Sequence, residues 1–213
     1  NYHQAMSATL ILVIVTCGIS FLCFNDKKLF DTLKHHPATE FNKSQYYRWL
    51  TSGFVHGDYM HLFVNMFVLY QFGGLVESYL MYHFGTPVGM ILYVVTYLLI
   101  IVMGDIPTYY KHKENYYFAS VGASGGVSGI IFTYILLYPW HNLYLFAIVP
   151  LPAIVFGVLY LWYSTWASRN QNDMIDHEAH FYGAVAGILI AIISRPEIFS
   201  EFLVKLIQEF PFR

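Results

Sequence analysis

Charged side chains are scarce in this sequence. Asp, Glu, Lys and Arg together make up 11% of its 213 residues, and the formal net charge is only −2. Because no run of Lys or Arg lies beside a long apolar segment, the composition gives no indication of a nucleic-acid or strongly acidic partner. Cysteine is rarer still. Cys17 and Cys23 lie in one apolar segment, about 9 Å apart along a helix axis, which is too far for a disulfide and leaves the redox compartment open.

The sequence is instead rich in apolar residues. Hydrophobic residues make up 57% of it and aromatic residues 19%, and the mean hydropathy is +0.48, well outside the range of a soluble domain. A helix needs about 20 apolar residues to cross a bilayer core. Six stretches are candidates for such spans, at about 5–24, 58–76, 86–103, 121–139, 145–166 and 178–193. The sequence therefore predicts an all-α, multi-pass integral membrane protein.

Two further segments are predicted to lie at the membrane surface. The connection over 25–55 is too long to lack structure and ends in an aromatic cluster at 46–49, so we expect it to be partly helical and interfacial. Over 195–213, apolar side chains recur at helical spacing opposite Glu and Lys, which predicts an amphipathic surface helix rather than a seventh span. Residues 1–194 would then form one six-helix domain. The start at Asn1 rather than Met suggests a trimmed core.

A glycine-rich, serine-bearing stretch opens the fourth predicted span. It reads Gly122-Ala123-Ser124-Gly125-Gly126-Val127-Ser128-Gly129 and holds two Gly-x-Ser-Gly frames. A hydroxyl at membrane depth is costly, which makes both serines candidate functional groups. At the start of a helix, unpaired N–H groups and the positive end of the dipole would stabilise an oxyanion. These residues alone leave the choice between Ser124 and Ser128 open.

Histidines on two other spans supply a candidate base and candidate hydrogen-bond donors. His180, Gly183 and Gly187 share one helical face, so the imidazole could approach the glycine-rich helix closely. His61 and Asn65 lie one turn apart on the second span. An unpaired histidine in lipid is expensive, so the combination favours a functional site over a packing motif whose serine bonds back to its own helix.

A metal site and a structural polar network are the alternatives. His177-Glu178-Ala179-His180 looks like a zinc motif, but its spacing differs from H-E-x-x-H. His56, His61, His177 and His180 could still converge on a metal ion, as in a metal-dependent membrane enzyme or a transporter. The other histidines, His35 among them, are expected to be solvated or interfacial. Buried side chains could also form a network with no chemical role.

Four separated motifs decide between these alternatives. They are Tyr47-Arg48 before the second span, His56-x4-His61-x3-Asn65 at its start, Gly122-x-Ser124-Gly125 opening the fourth, and Ala179-His180-x2-Gly183-x3-Gly187 in the sixth. With six spans in the right order, the sequence resembles the rhomboid family of intramembrane serine proteases over nearly its whole length. The resemblance favours Ser124 over Ser128, because relatives carry a proline at the distance from the nucleophile that Pro139 has from Ser124.

The resemblance implies a six-helix rhomboid bundle and a role for each motif residue. Ser124 would be the nucleophile and His180 the general base, a dyad without an aspartate. The remaining implied roles are an oxyanion hole of the Ser124 N–H, His61 and Asn65; support from His56, Gly122, Gly125, Gly183 and Gly187; and structural roles for Arg48 and Glu77. No metal or other cofactor is implied. Relatives carry an aromatic residue where this chain has Ser128, so Phe181, Tyr182 or an aromatic of the fifth span would have to contact His180 instead.

The function implied by the resemblance is hydrolysis of peptide bonds in or near the transmembrane segments of other membrane proteins. The bond cut would follow a small residue, and the expected partners are transmembrane substrates and the lipid bilayer, without nucleic acid. A loop at 168–173 and the end of the fifth span would form the gate. The expected location is a bacterial inner membrane. The alternatives are a catalytically silent, client-binding relative, and a metal-dependent enzyme or transporter built on the histidines.

Overall fold

The computed structural model describes residues 7–145, 149–167 and 176–211, and the predicted gate loop at 168–173 lies outside them. The helices are α1 (Ala8–Asn25), α2 (Lys27–Leu33), α3 (Pro37–Lys43), α4 (Arg48–Thr51), α5 (Tyr59–Phe84), α6 (Thr86–His112), α7 (Ser124–Leu137), α8 (Ala153–Ala167), α9 (His177–Ser194) and α10 (Glu197–Gln208). Of these, α1, α5, α6 and α9 are long and apolar enough to cross a membrane, and α7 and α8 are shorter apolar helices. The predicted helical membrane bundle is confirmed.

Helix α7 forms the centre of the bundle. Every residue from Gly125 to Leu137 is buried, and the helix packs against α5, α6 and α9. Its 14 residues span about 21 Å, whereas the hydrocarbon core of a bilayer is about 30 Å thick. A buried helix that is shorter than the membrane can begin below the membrane surface, and α7 begins at Ser124.

Glycines allow α9 to approach α7 at backbone distance. A Cβ built on Gly183 would collide with the backbone oxygen of Gly125, and one on Gly187 would collide with that of Gly129. Backbone atoms have little freedom to move aside, so any side chain at these positions would push the two helices apart. The small residues thus set the spacing that brings the start of α9 to the start of α7.

Short helices give structure to the connection over 25–55. Helices α2, α3 and α4 and a 3₁₀ turn at Ser52–Phe54 occupy much of it, and His35 pairs with Ser120 through two backbone hydrogen bonds of 3.0 Å. Arg48 is buried inside the connection, where its guanidinium donates to the carbonyl oxygens of Asp31 and Lys34 at 2.8 and 3.0 Å. The connection is therefore tied both to itself and to the segment before α7.

Glu77 caps the first helix from the middle of α5. Its buried carboxylate accepts the backbone N–H groups of Ala8 and Thr9 at 2.7 and 2.9 Å, and the hydroxyls of Ser7 and Thr9 at 2.7 Å each. The first N–H groups of a helix have no intrahelical acceptor, and the positive end of the helix dipole favours a carboxylate there. One acidic side chain thus fixes α1 against α5.

We expect Glu77→Ala to lower the free energy of unfolding by at least about 2 kcal/mol, because two buried N–H groups would lose their acceptor. Denaturant unfolding in detergent micelles, read by circular dichroism, measures this. Glu114→Ala, which removes an exposed carboxylate from a loop, is the matched control. Equal stability of the two variants would mean that α1 does not depend on this cap.

The helix ends differ from the predicted spans in two ways. Helices α5 and α6 continue past 76 and 103, because Glu77 and Asp105 are buried inside them instead of ending them. The helix of the predicted fifth span, α8, begins at Ala153 rather than at about residue 145. Strands β1 (Asn142–Leu145) and β2 (Val149–Pro152) form an antiparallel hairpin ahead of α8. Pro150 and Pro152 are tolerated in an edge strand such as β2, whereas either would disrupt a helix interior.

The C-terminal helix α10 packs on the end of the bundle. Ile198 is buried with Leu136, Leu137 and Ala191, whereas Leu203, Val204 and Ile207 of the same helix are exposed. The Lys205 ammonium donates to the carbonyl oxygen of Leu137 at 2.7 Å. A cation is favourable at a helix C-terminus, so this contact holds the far end of α7.

Candidate active site

Ser124 and His180 meet where two helices begin. Ser124 is the first residue of α7, and His180 lies in the first turn of α9. The Asp176 carboxylate caps α9 by accepting the Ala179 N–H at 2.9 Å. The Nε2 atom of His180 lies 2.6 Å from the Ser124 Oγ. This distance is within the range for proton transfer from a hydroxyl to an imidazole.

Gly122 leaves the space in which His61 and Ser124 come together. Its φ of +128° is a conformation that residues with side chains rarely adopt. A Cβ at this position would lie 2.7 Å and 2.8 Å from Cε1 and Nε2 of His61, and 3.6 Å from the Ser124 Oγ. Both polar groups therefore border the volume that the glycine leaves free, so substitution of Gly122 would clash as well as strain the backbone.

Asn65 lies one turn further along α5 and is buried. Its Nδ2 donates to the carbonyl oxygen of His61 at 3.0 Å. An amide group has two N–H donors, so this bond leaves the second for another acceptor. The same helix therefore supplies an imidazole and an amide on the side where Gly122 lies.

His56 holds Ala123, the residue that precedes Ser124. Its Nε2 accepts the Ala123 N–H at 3.3 Å, and its Nδ1 lies 2.9 Å from the Ser20 hydroxyl, which donates to the Phe54 carbonyl oxygen at 2.9 Å. Because Nε2 is the acceptor and the Ser20 proton is already used, Nδ1 must carry the imidazole proton. Burial, together with the charge of His61, lowers the pKa of His56 to about 3 against the opposing effect of Asp58, so the ring is neutral.

An aromatic residue of α8 packs on the candidate base. The rings of Tyr160 and His180 are stacked, with centroids 6.0 Å apart and an angle of 18°. The Tyr160 hydroxyl lies 2.5 Å from the Ser128 Oγ, which donates to the Ser124 carbonyl oxygen at 2.7 Å. The single Ser128 proton is used in that bond, so Tyr160 is the donor to Ser128. Ser128 thus connects Tyr160 to the backbone of Ser124.

The sequence offered Phe181, Tyr182 or an aromatic of the fifth span as the residue in contact with His180. In the structure it is Tyr160 of the fifth span. Phe181 and Tyr182 instead pack edge-on against each other, with centroids 5.4 Å apart. Of the two candidate serines, Ser124 is the one bonded to an imidazole.

Comparison with known proteins identifies the family of this chain. The family model described as "Rhomboid domain" matches residues 43–197, which is more than half of the chain and includes both Ser124 and His180. This chain is a member of the rhomboid family. The RHOMBOID-like protein 12, mitochondrial, of Arabidopsis thaliana is 27% identical to it over 194 residues, which cover 86% of this chain and 57% of that relative. The chain thus spans a little over half the length of this relative.

Among the described residues, the four histidines of the metal alternative do not form a candidate metal group. Within the described segments, the His, Cys, Asp and Glu side chains close enough to hold a metal ion are His35, Asp105 and Asp176, all buried. The prediction that His35 is solvated or interfacial is wrong, since it has no exposed surface. Its backbone pairing with Ser120 draws it inward against α6.

Sequence reasoning missed three residues near the site. Asp176 lies directly before His177 and could have been recognised as a helix-capping residue. Asp105 could have been recognised as a charged residue that lies within an apolar helical pattern instead of ending it. Both line a small polar cavity beside Ser124, together with Ser52 and Ser120. Nothing in the sequence singles out Tyr160 among the aromatics of its helix.

Proposed function

We propose that this rhomboid is an intramembrane serine endopeptidase, with Ser124 as the nucleophile and His180 as the general base. The observation that carries the proposal is the 2.6 Å contact between Ser124 Oγ and His180 Nε2 at the start of a buried helix. The first N–H groups of α7 lack intrahelical acceptors, which supports stabilisation of negative charge at this point.

The reaction would proceed through an acyl-enzyme. The Ser124 Oγ attacks the carbonyl carbon of the scissile bond while its proton moves to His180 Nε2. The C–N bond then breaks, and His180 returns that proton to the leaving amine. Water attacks the resulting ester with His180 again accepting a proton, which releases the new carboxyl end and restores Ser124. Two side chains suffice for this proton transfer, so the proposal requires no cofactor.

The developing oxyanion would be held at the space beside Gly122. The Ser124 N–H, the His61 ring and the second N–H of the Asn65 amide are the proposed donors. The neutral His56 would keep Ala123 in place and so fix the direction of the Ser124 N–H. Groups that are positioned before the reaction stabilise a transition state without reorganising during it.

Asn65→Ala should lower kcat by about 10²–10³-fold with little change in KM, because an oxyanion donor acts mainly in the transition state. Cleavage kinetics of a fluorescent transmembrane peptide in liposomes measure this. Asn42→Ala is the matched control, since Asn42 also donates to the carbonyl four residues earlier, at 2.7 Å, but lies on α3. An unchanged kcat in Asn65→Ala would remove Asn65 from the oxyanion hole.

The proposed substrates are transmembrane segments of other membrane proteins, cut after a small residue because the glycine-lined site is crowded. They would reach Ser124 sideways from the bilayer, past α8. The predicted bacterial inner membrane remains a prediction about location, and the relative from Arabidopsis is named as mitochondrial.

Covalent labelling tests the proposal directly. The purified protein in liposomes should cleave a transmembrane peptide and react with a fluorophosphonate, and mass spectrometry should place the phosphonyl group on Ser124. Labelling of another residue would refute the assignment of the nucleophile. A folded protein that binds transmembrane peptides but neither cleaves them nor reacts would instead be the client-binding alternative.

A further inference from the structure

Three buried side chains from separate parts of the chain meet beside the candidate active site. His35 comes from the connection before α5, Asp105 from α6, and Asp176 from the residue that caps α9. They are 0%, 9% and 5% exposed. Each offers one nitrogen or oxygen atom, and these atoms lie within 4.8 Å of one another. Because the three residues come from separate parts of the chain, the tertiary fold forms this cluster, and it is not a local run of acidic residues.

In the part of the chain that the structure describes, no Lys or Arg side chain balances the carboxylates of this cluster. Glu40 adds a third carboxylate, which accepts from His35 Nδ1 at 2.8 Å. Among the ion pairs of the described residues, none joins a Lys or Arg side chain to Glu40, Asp105 or Asp176. Glu40 also accepts from the Trp49 ring, Asp105 from the Ser52 hydroxyl and Asp176 from the Ala179 N–H. These hydrogen bonds are to neutral groups, so they do not cancel the charge of buried carboxylates, which is strongly unfavourable. Even a charged His35 would leave this group negative, so either protons or a cation must neutralise it.

Two atoms of the cluster lack a hydrogen-bond partner. They are His35 Nε2 and Asp176 Oδ2, and both are buried. A neutral His35 that donates from Nδ1 to the Glu40 carboxylate has its lone pair on Nε2. This is the arrangement in which a carboxylate orients a metal-binding histidine. A proton-sharing network would instead be expected to use both of these atoms in hydrogen bonds.

We propose that His35 Nε2 and the carboxylates of Asp105 and Asp176 bind one divalent transition-metal cation. One imidazole and two carboxylates suit Zn²⁺, Co²⁺, Mn²⁺ or Fe²⁺, and the adjoining polar cavity lined by Ser52 and Ser120 supplies further oxygen atoms. The ion would fasten the first residue before α9 to α6 and to the connection over 25–55. It takes no part in the proposed peptide hydrolysis, so the inference goes beyond the proposed function.

Titration with Co²⁺ tests the site. Full-length protein is stripped with EDTA, and Co²⁺ is added while visible absorption is followed. We expect one equivalent to bind per chain, and His35→Asn and Asp176→Asn each to weaken binding by at least about tenfold. His83→Asn, a histidine near the end of α5, should bind Co²⁺ like the wild type. Absence of binding to the wild type, or equal affinity in His35→Asn, would overturn the proposal.

X-ray absorption of the Zn²⁺-loaded wild type keeps the proposal testable even if the variants do not fold. One imidazole at about 2.0–2.1 Å with oxygen ligands is expected. Two or more imidazoles would point to the other histidines, and a spectrum without imidazole would also contradict the site. Ser124→Ala should bind the ion as well as the wild type, so the outcome is independent of whether Ser124 is the nucleophile.

Discussion

Ser124→Ala should abolish cleavage of a transmembrane substrate, with turnover falling by about 10⁶-fold, the size of the loss when a serine protease loses its nucleophile. The fold should remain, because the change removes a single oxygen atom from the first residue of α7 and alanine is the best helix former. Peptide cleavage in liposomes and thermal unfolding of the same preparations measure the two effects. A destabilised variant that still cleaves would refute the assignment.

Ser128→Ala is the matched control for that experiment, because Ser128 lies one turn away in the same glycine-rich stretch. It loses the hydrogen bond from Tyr160, worth about 1 kcal/mol, so turnover should stay within about tenfold of the wild type. A loss as complete as in Ser124→Ala would show that Ser128 is the nucleophile.

Tyr160→Ala should lower kcat by about 10²-fold with little effect on KM. The stacked ring of Tyr160 limits where the His180 imidazole can lie, and a displacement of about 1 Å from reactive geometry can cause a loss of this size. Fluorophosphonate labelling of Ser124 should slow in parallel, since it depends on the same imidazole but not on the peptide.

Two further variants separate the ring from its hydroxyl. Tyr160→Phe keeps the stacking and loses the bond to Ser128, so it should retain most activity, and combining it with Ser128→Ala should cause little additional loss. Tyr163→Ala, on the same helix but half-exposed, controls for removal of a tyrosine from α8. If Tyr160→Ala labels and cleaves like Tyr163→Ala, the ring does not position His180.

The parts of this structure that sequence predicts best are those with a repeating signal. The long apolar runs gave the helices of the bundle, and His180, Gly183 and Gly187 lie on the face of α9 that meets α7, because helical periodicity is independent of distant contacts. Helix ends were predicted less well. Glu77 and Asp105 look like residues that end a span, yet each finds partners inside the protein, and only tertiary structure supplies those partners.

The contacts that sequence could not predict join residues far apart in the chain. His35, Asp105 and Asp176 have no common motif, and their meeting depends on the backbone pairing between His35 and Ser120. Tyr160 is one of several aromatics on α8, and its contact with His180 depends on how that helix rotates and tilts. In each case the local sequence pattern predicts the helix or connection, whereas tertiary packing determines which of its side chains contact each other.

The attachment of α7 at its far end would determine where the proposed protease cuts a substrate. Lys205 of the surface helix α10 holds the Leu137 carbonyl, and Ser124 lies one helix length away, about 21 Å. If α10 lies at one membrane surface and the protein cleaves as proposed, the length of α7 would fix the depth of Ser124 below that surface. We expect the cleaved bond to keep its distance from that surface when a substrate helix is lengthened at its opposite end, whatever the thickness of the bilayer.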